Sequence, residues 1–460
     1  MLYYRAQDGI TADIIPYYEN GLFYLYYLHD YRDAENRGEG TPWRLIRTKD
    51  FVEYEEMGEV LPRGTEDEQD LYVFTGSVFK EAEGKYHIFY TGHNPHLRAQ
   101  GHPEQAVMHA KSSDLIHWEK QKEDTFYAPL DSYEPHDWRD PFVYRDEKNG
   151  CYRMLLAARQ KDGDRVKRGC TAMCTSRDLK EWKVEEPLWS PGAFYAHECP
   201  DHFTMGENEY LVYSEFSDRF ATRYRVSEPG ADNWTSTVDD AFDGRAFYAA
   251  KTAWDGEKRY VFGWVPTKVD NSDNTDWQWG GSLMVHQVFC RPDRSLGCRM
   301  PDSIRKHFKK QYFFREAVEC GSSQGYAAKS LLTVKADSYL LTADVVISQN
   351  NVDAGILLRH DQKEDFAYSY RISPGCGRLS FGVLPNFPWG QANFTNMERA
   401  LYLKPGQRYH LELAVEGDVC VMYLDGVALT ARMHVKKENR IGIFSENGQV
   451  RMENVGVFTI

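Results

Sequence analysis

Apolar residues recur through the first 300 positions in short runs set behind a turn former. Gly21-Leu22-Phe23-Tyr24-Leu25-Tyr26-Tyr27, Gly84-Lys85-Tyr86-His87-Ile88-Phe89-Tyr90 and Gly150-Cys151-Tyr152-Arg153-Met154-Leu155-Leu156 are three copies. Asn208-Glu209-Tyr210-Leu211-Val212-Tyr213 and Glu257-Lys258-Arg259-Tyr260-Val261-Phe262-Gly263-Trp264 read as a fourth and a fifth. Runs this short and this rich in aromatic and branched residues predict strands. A second element follows each of the first three: Thr48-Lys49-Asp50-Phe51, Ser112-Ser113-Asp114-Leu115 and Ser176-Arg177-Asp178-Leu179. An Asp in this setting closes a turn on nearby backbone amides, so Asp50, Asp114 and Asp178 are expected to be structural corners. A repeat of roughly 60 residues built from short strands predicts a propeller blade, and five copies fill the available length. In such a ring, residues placed equivalently in different blades converge on one axis.

The pattern changes after position 300. Met300-Pro301-Asp302-Ser303-Ile304-Arg305-Lys306-His307 reads as a connector with a short helical turn. Farther on, His410-Leu411-Glu412-Leu413-Ala414-Val415 alternates as a half-buried strand should, and Asp425-Gly426 is a hairpin signal. More strands are expected at 339–347, 355–359, 366–372, 379–383, 441–444 and 450–457, enough to predict a β-sandwich. The expected architecture is all-β: a five-bladed β-propeller over residues 1–300, a connector over 301–325 and a C-terminal β-sandwich over 326–460. A chain of 460 residues is too long for one ordinary core, in keeping with two domains.

Composition narrows the partners. A formal net charge of -14 argues against nucleic acid or an anionic membrane, either of which needs a basic footprint. No apolar run approaches the roughly 20 residues that cross a bilayer. The first residues lack the basic, apolar and small-residue pattern of a secretory signal, so a cytoplasmic location is expected. Nine scattered cysteines suit reduced thiols and show no zinc spacing. Asp270-Asn271-Ser272-Asp273-Asn274-Thr275-Asp276 lacks the turn glycine and terminal Glu of a calcium loop and reads as a solvated loop. Neither metal nor cofactor is expected, and the sequence leaves the oligomeric state open.

Candidate chemistry gathers at three carboxylates, each just before an apolar run: Asp13 in Thr11-Ala12-Asp13-Ile14-Ile15-Pro16, Asp140 in Trp138-Arg139-Asp140-Pro141-Phe142-Val143, and Glu198 in Tyr195-Ala196-His197-Glu198-Cys199-Pro200-Asp201-His202-Phe203. If the propeller brings these stretches together, three carboxylates share one funnel, which is the equipment of a glycosidase. Aromatics at 14% of the chain suit strand cores and also surfaces that stack on sugar rings. Trp43, Phe74, Trp138, Tyr195, Tyr248 and Trp277 are expected near the mouth.

Arg139-Asp140-Pro141, His197-Glu198-Cys199-Pro200-Asp201 and Phe247-Tyr248-Ala249-Ala250-Lys251-Thr252 resemble the Arg-Asp-Pro, Glu-Cys and fifth-blade aromatic motifs of glycoside hydrolase family 32, the β-fructofuranosidases, levanases and inulinases. Phe74-Thr75-Gly76-Ser77-Val78 resembles the second-blade sugar-binding segment of that family, which also pairs a five-bladed propeller with a sandwich. The resemblance implies Asp13 as nucleophile, Glu198 as general acid/base and Asp140 as stabiliser of the oxocarbenium-like state, with Arg139 orienting it. Substrate contacts are expected from Phe74, Ser77, Trp43, His197, Asp201 and Tyr248, and the resemblance implies a small carbohydrate such as sucrose or a short fructo-oligosaccharide as substrate, with no cofactor. Paired carboxylates about 5 Å apart would give retention of configuration. The family's Asn-Asp-Pro-Asn-Gly is replaced here by Ala12-Asp13-Ile14-Ile15-Pro16, and Leu28 stands where a polar residue is usual. Two other readings stay open: an inverting family 43-like arabinosidase or xylosidase, whose Ala-Asp-Pro motif resembles Ala12-Asp13, and a carbohydrate-binding protein without turnover.

Overall fold

The computed structural model describes residues 1–81 and 84–460 and is built almost entirely of antiparallel strands. Five small sheets form the propeller. The first blade comprises Ile10–Glu19, Leu22–Asp30, Trp43–Thr48 and Glu55–Leu61. The inner strands of the next four are Tyr72–Lys80, Tyr133–Asp146, Ala196–Met205 and Tyr248–Trp254. A single pair, Thr11 opposite Gly281, joins the first blade to the fifth. The opening hairpin shows how local sequence sets this order. Asn20 and Gly21 both have positive φ, 50° and 84°, and connect Glu19 to its partner Leu22 in the tight turn that suits the twist of paired strands.

The recurring Asp closes its corner in the same way in three blades. Asp50 Oδ1 accepts from Val52 N and Glu53 N, Asp114 Oδ1 from Ile116 N and His117 N, and Asp178 Oδ1 from Lys180 N and Glu181 N. The preceding hydroxyls of Thr48, Ser112 and Ser176 accept from the N–H groups of Phe51, Leu115 and Leu179, and these apolar residues take positive φ to drop into the core.

A short helix, Asp302–His307, leads out of the propeller. The expected connector is much shorter than 301–325: strand begins at Lys310, paired with Thr459, and runs to Val334 along Asn439–Thr459. That pairing takes up Lys310–Ser322, a mostly exposed stretch whose apolar residues do not alternate with polar ones. Asn439–Thr459 pairs with Asp353–Asp361 through its first half and with Ser338–Ile347 through its second, so one long strand serves both layers of the sandwich.

One apolar cluster runs from Phe247 and Phe262 in the propeller to Leu411 and Tyr423 in the sandwich. Several polar groups buried beside it are paired. Asp243 accepts from Thr430 N at 2.8 Å and Thr430 Oγ1 at 2.6 Å, and lies 3.0 Å from His286 Nε2, whose other nitrogen meets Tyr423 Oη at 2.9 Å. Arg432 donates to the carbonyls of Val265 and Pro266 while gripping Asp418. The 270–276 segment, expected to be solvated, is largely exposed, but its Asp273 is buried and accepts from Tyr368 Oη of the sandwich.

Candidate active site

The five inner strands share one irregularity. In each, the pairing with the second strand slips by one residue, giving a bulge at Asp13, at Thr75, at Asp140-Pro141, at Cys199-Pro200 and at Ala249-Ala250. Asp13, Asp140, Cys199 and Ala249 have positive φ of 21°, 60°, 51° and 51°. A bulge adds a residue to one strand and re-aims its side chain, so repeating it around a ring turns five equivalent residues toward the axis. The carboxylates therefore sit within strands rather than where strands begin, Asp13 and Asp140 at bulges and Glu198 immediately before one. Gly76 follows the second bulge for a steric reason: a Cβ there would come within 2.0 Å of the Phe89 carbonyl.

Asp13, Asp140 and Glu198 line one cavity of about 1180 Å³. Asp13 is bound on both oxygens, by Thr75 Oγ1 at 2.5 Å and by Trp264 Nε1 at 2.8 Å. Burial pushes its carboxyl up and these two donors hold it down, while the Glu198 charge adds to the upward push and leaves the balance above the ordinary range. Asp140 Oδ2 accepts from Cys199 N at 2.9 Å, one bulge residue bracing the next, and Asp140 N donates to Thr91 Oγ1. Burial, opposed by Arg139 and the Cys199 amide, also raises this carboxyl.

Glu198 retains 20% of its side-chain exposure and faces the cavity. Its Oε2 accepts from Tyr248 Oη at 2.8 Å and its Oε1 from Arg139 at 3.2 Å. Burial and then the Asp140 charge raise it above the usual carboxylate value, against the pull of Arg139 and Tyr248. Arg139 also donates to Asp137 at 2.9 Å and lies 3.9 Å from Asp140. Burial works against its charge, yet Glu198, Asp140 and Asp137 together keep it firmly protonated. Asp13, between two neutral donors, and Glu198, between the Tyr248 hydroxyl and the Arg139 guanidinium, are both pushed above the ordinary carboxylate range, and two carboxyl groups on one cavity can supply the nucleophile and the acid that displacement at a sugar carbon requires.

The cavity wall is completed by residues far apart in sequence. Arg32, at the end of the first blade's second strand, crosses to the fifth blade and donates to Thr267 Oγ1 and Gln278 Oε1, each at 2.8 Å, and to the Trp279 carbonyl. Arg245 lies over the rings of Phe220 and Trp277, each at 5.1 Å.

Residues 11–290, more than half of the chain, match the Glycosyl hydrolases family 32 N-terminal domain. The chain belongs to glycoside hydrolase family 32. It is 22% identical over 472 residues to the levanbiose-producing levanase of Bacillus subtilis (strain 168), covering 96% of this chain and 87% of the levanase. Sucrose-6-phosphate hydrolase of Escherichia coli is 27% identical over 264 residues, 53% of this chain and 52% of that one. Fructan 1-exohydrolase IIa from Cichorium intybus, in complex with 1-kestose, superposes with a TM-score of 0.80 at 14% identity, covering 100% of this chain and 96% of that chain. Exo-inulinase from Aspergillus awamori gives 0.76 at 15% identity, with 100% and 97% covered.

Within this family 32 site, Phe74, Arg139 and Tyr248 line the cavity with the three carboxylates, and so do Tyr195 and Trp277. Four residues expected to touch substrate are elsewhere. Trp43 is fully buried, its Nε1 donating to the carbonyls of Val73 and Phe74, so it packs the first blade against the second. Ser77 accepts from Val143 N and ties the second blade to the third. His197 precedes Glu198 on a strand and so faces the opposite way, against Trp189 and Thr171, where burial brings its pKa down to about 3 and keeps it neutral. Asp201 lies beyond the bulge and accepts from Thr252 N at 2.5 Å, joining the fourth blade to the fifth. Trp138, expected at the mouth, is fully buried beside Tyr133.

Sequence reasoning missed Thr75 and Trp264, the two donors that hold Asp13. Thr75 lies in the Phe74-Thr75-Gly76-Ser77-Val78 segment, but its place as the second-blade equivalent of Asp13 appears only once the strands are paired. Trp264 carries a weaker signal, an indole within the otherwise apolar run Tyr260-Val261-Phe262-Gly263-Trp264-Val265.

Proposed function

We propose that this family 32 glycoside hydrolase cleaves β-fructosides, sucrose or short fructo-oligosaccharides, by double displacement with retention. Asp13 attacks the anomeric carbon as the bond to the leaving oxygen breaks, and the proton of Glu198 passes to that oxygen. Esterification removes the charge of Asp13. Because the two groups feel each other across the cavity, that loss lowers the proton affinity of Glu198 and prepares it as the base that takes a proton from water in the second step. Asp140, held by the Cys199 amide, accepts from sugar hydroxyls as positive charge develops on the ring.

The observation that carries this reading is the gathering of three carboxylates on one cavity, with Asp13 held by Thr75 and Trp264 and Glu198 by Tyr248 and Arg139. The named activities of the levanase, the exohydrolase and the sucrose-6-phosphate hydrolase support fructosides over arabinosides. A cytoplasmic setting belongs to the proposal, supported by nine free thiols. Incubation with sucrose, 1-kestose, levan and inulin oligosaccharides and aryl arabinosides tests it. Release of fructose is expected. Release of arabinose alone, or binding without turnover, would overturn it.

A further inference from the structure

One loop of the sandwich lies against the cavity wall. Between the strands Arg378–Leu384 and Glu398–Ala400 the chain reaches the propeller, and the second half of this loop is fastened there. Lys268 Nζ donates to the Asn393 carbonyl at 3.0 Å, and Asn393 Nδ2 to Asn274 Oδ1 at 3.3 Å. Arg245 N donates to the Asn396 carbonyl at 3.3 Å, and Asn396 Nδ2 to the Asp218 carbonyl at 3.4 Å. The Lys268 ammonium lies 4.6 Å from the centre of the Trp277 ring and 5.3 Å from that of Phe394, so one cation joins a loop aromatic to a cavity aromatic. Trp277 and Arg245 both line the catalytic cavity.

The first half of the same loop is left open to solvent. Phe387 and Trp389 stack on each other, with centroids 5.2 Å apart and planes 10° from parallel, yet they are 52% and 83% exposed. Isolated exposed apolar residues need no explanation; two stacked rings that brace each other in the open hold a flat aromatic face toward solvent. The segment that carries it is uncharged. Pro385-Asn386-Phe387-Pro388-Trp389-Gly390-Gln391-Ala392-Asn393-Phe394-Thr395-Asn396 contains no charged side chain and is rich in amides that both donate and accept. A flat aromatic face bordered by amides matches a neutral polyhydroxylated ring, with one apolar face and hydroxyls at its edge.

We propose that the Phe387–Trp389 platform is a second carbohydrate site, one that holds the distal sugars of a β-fructan chain whose terminal residue occupies the catalytic cavity. This rests on the fructosidase reading above and extends it from short substrates to long ones. The loop's attachment to the cavity wall makes the two sites parts of one surface, so a chain held at one finds the other by an intramolecular step. Sucrose is too short to gain from the platform.

The test uses the full chain with Trp389→Ala and Trp389→Phe. Initial rates on sucrose, 1-kestose, levan and inulin are compared, and retention in levan- or inulin-containing gels is measured in the Glu198→Gln background. Trp389→Ala should raise KM for the polymer and weaken retention by about tenfold, the scale of one lost stacking contact, while sucrose kinetics stay unchanged. Trp389→Phe should recover most of the loss. An unchanged polymer-to-sucrose ratio together with unchanged retention would overturn the platform alone. So would a Trp389→Ala effect confined to oligomeric state in size-exclusion chromatography, which would make this face a contact between copies. A wild-type chain inactive on every fructoside would overturn the fructosidase reading, and the platform's ligand with it.

Discussion

Replacing Trp264 with Phe keeps an aromatic ring beside Asp13 but removes the N–H that donates to Oδ1 at 2.8 Å. A hydrogen bond to an ionised acceptor contributes about 1.5–3 kcal/mol. Asp13 is 9% exposed and open to the cavity, so water recovers part of this, and Thr75 still binds Oδ2. A net loss near 1.4 kcal/mol corresponds to about one pKa unit. The lost bond favoured the charged form, so the Asp13 pKa rises. The acid limb of kcat/KM, set by ionisation of the nucleophile in the free enzyme, should therefore move up by about one unit while the alkaline limb stays in place. Because Asp13 and Glu198 interact, the measured values belong to the pair, and the informative quantity is which limb moves. The assay is kcat/KM for sucrose against pH, with thermal unfolding followed in parallel because the smaller ring leaves a void beside Tyr248. A shift of the alkaline limb, or a downward shift of the acid limb, would refute the assignment of Asp13 as the group that must be ionised.

The complementary change, Tyr248→Phe, removes the donor to Glu198 Oε2 and should raise the alkaline limb by about half to one unit, since Arg139 still holds Oε1; the same pH profile checks it. Asp243→Asn breaks a fully buried pairing at the propeller–sandwich interface and should cost about 3 kcal/mol at neutral pH. Burial pushes the Asp243 carboxyl up, but His286, Arg399 and Thr430 hold it below its ordinary 3.8. Its stabilising effect is thus present above that value and lost as the pH falls below it, and the gap in melting temperature between wild type and variant should narrow under acid conditions. Iodoacetamide at neutral pH should leave activity intact, because Cys199 beside Asp13 is buried with its thiol pKa pushed well up; peptide mapping should find the label on exposed Cys376.

The three cavity carboxylates could be found in the sequence because each lies in a short, distinctive stretch, and the repeated corners because the bonds that Asp50, Asp114 and Asp178 make are to groups within three residues. What escaped was set by contacts between distant segments. A bulge is a property of two strands in register, so nothing within Thr11–Pro16 announces that Asp13 sits on one. His197 could have been excluded from strand alternation alone, being one residue from Glu198. Trp43 could not, since its burial depends on the second blade closing over it. The sandwich was legible where strands alternate and illegible over 310–325, where pairing with the last strand of the chain makes strand of a stretch without alternation.

Mass spectrometry of the Glu198→Gln variant tests the double displacement most directly. The variant would be quenched in acid after brief exposure to a fructoside with a good leaving group, which needs no proton from residue 198. A single fructosyl unit bound to the peptide that contains Asp13 is expected. A fructosyl unit on the peptide bearing Asp140, or turnover with inversion and no adduct, would contradict it.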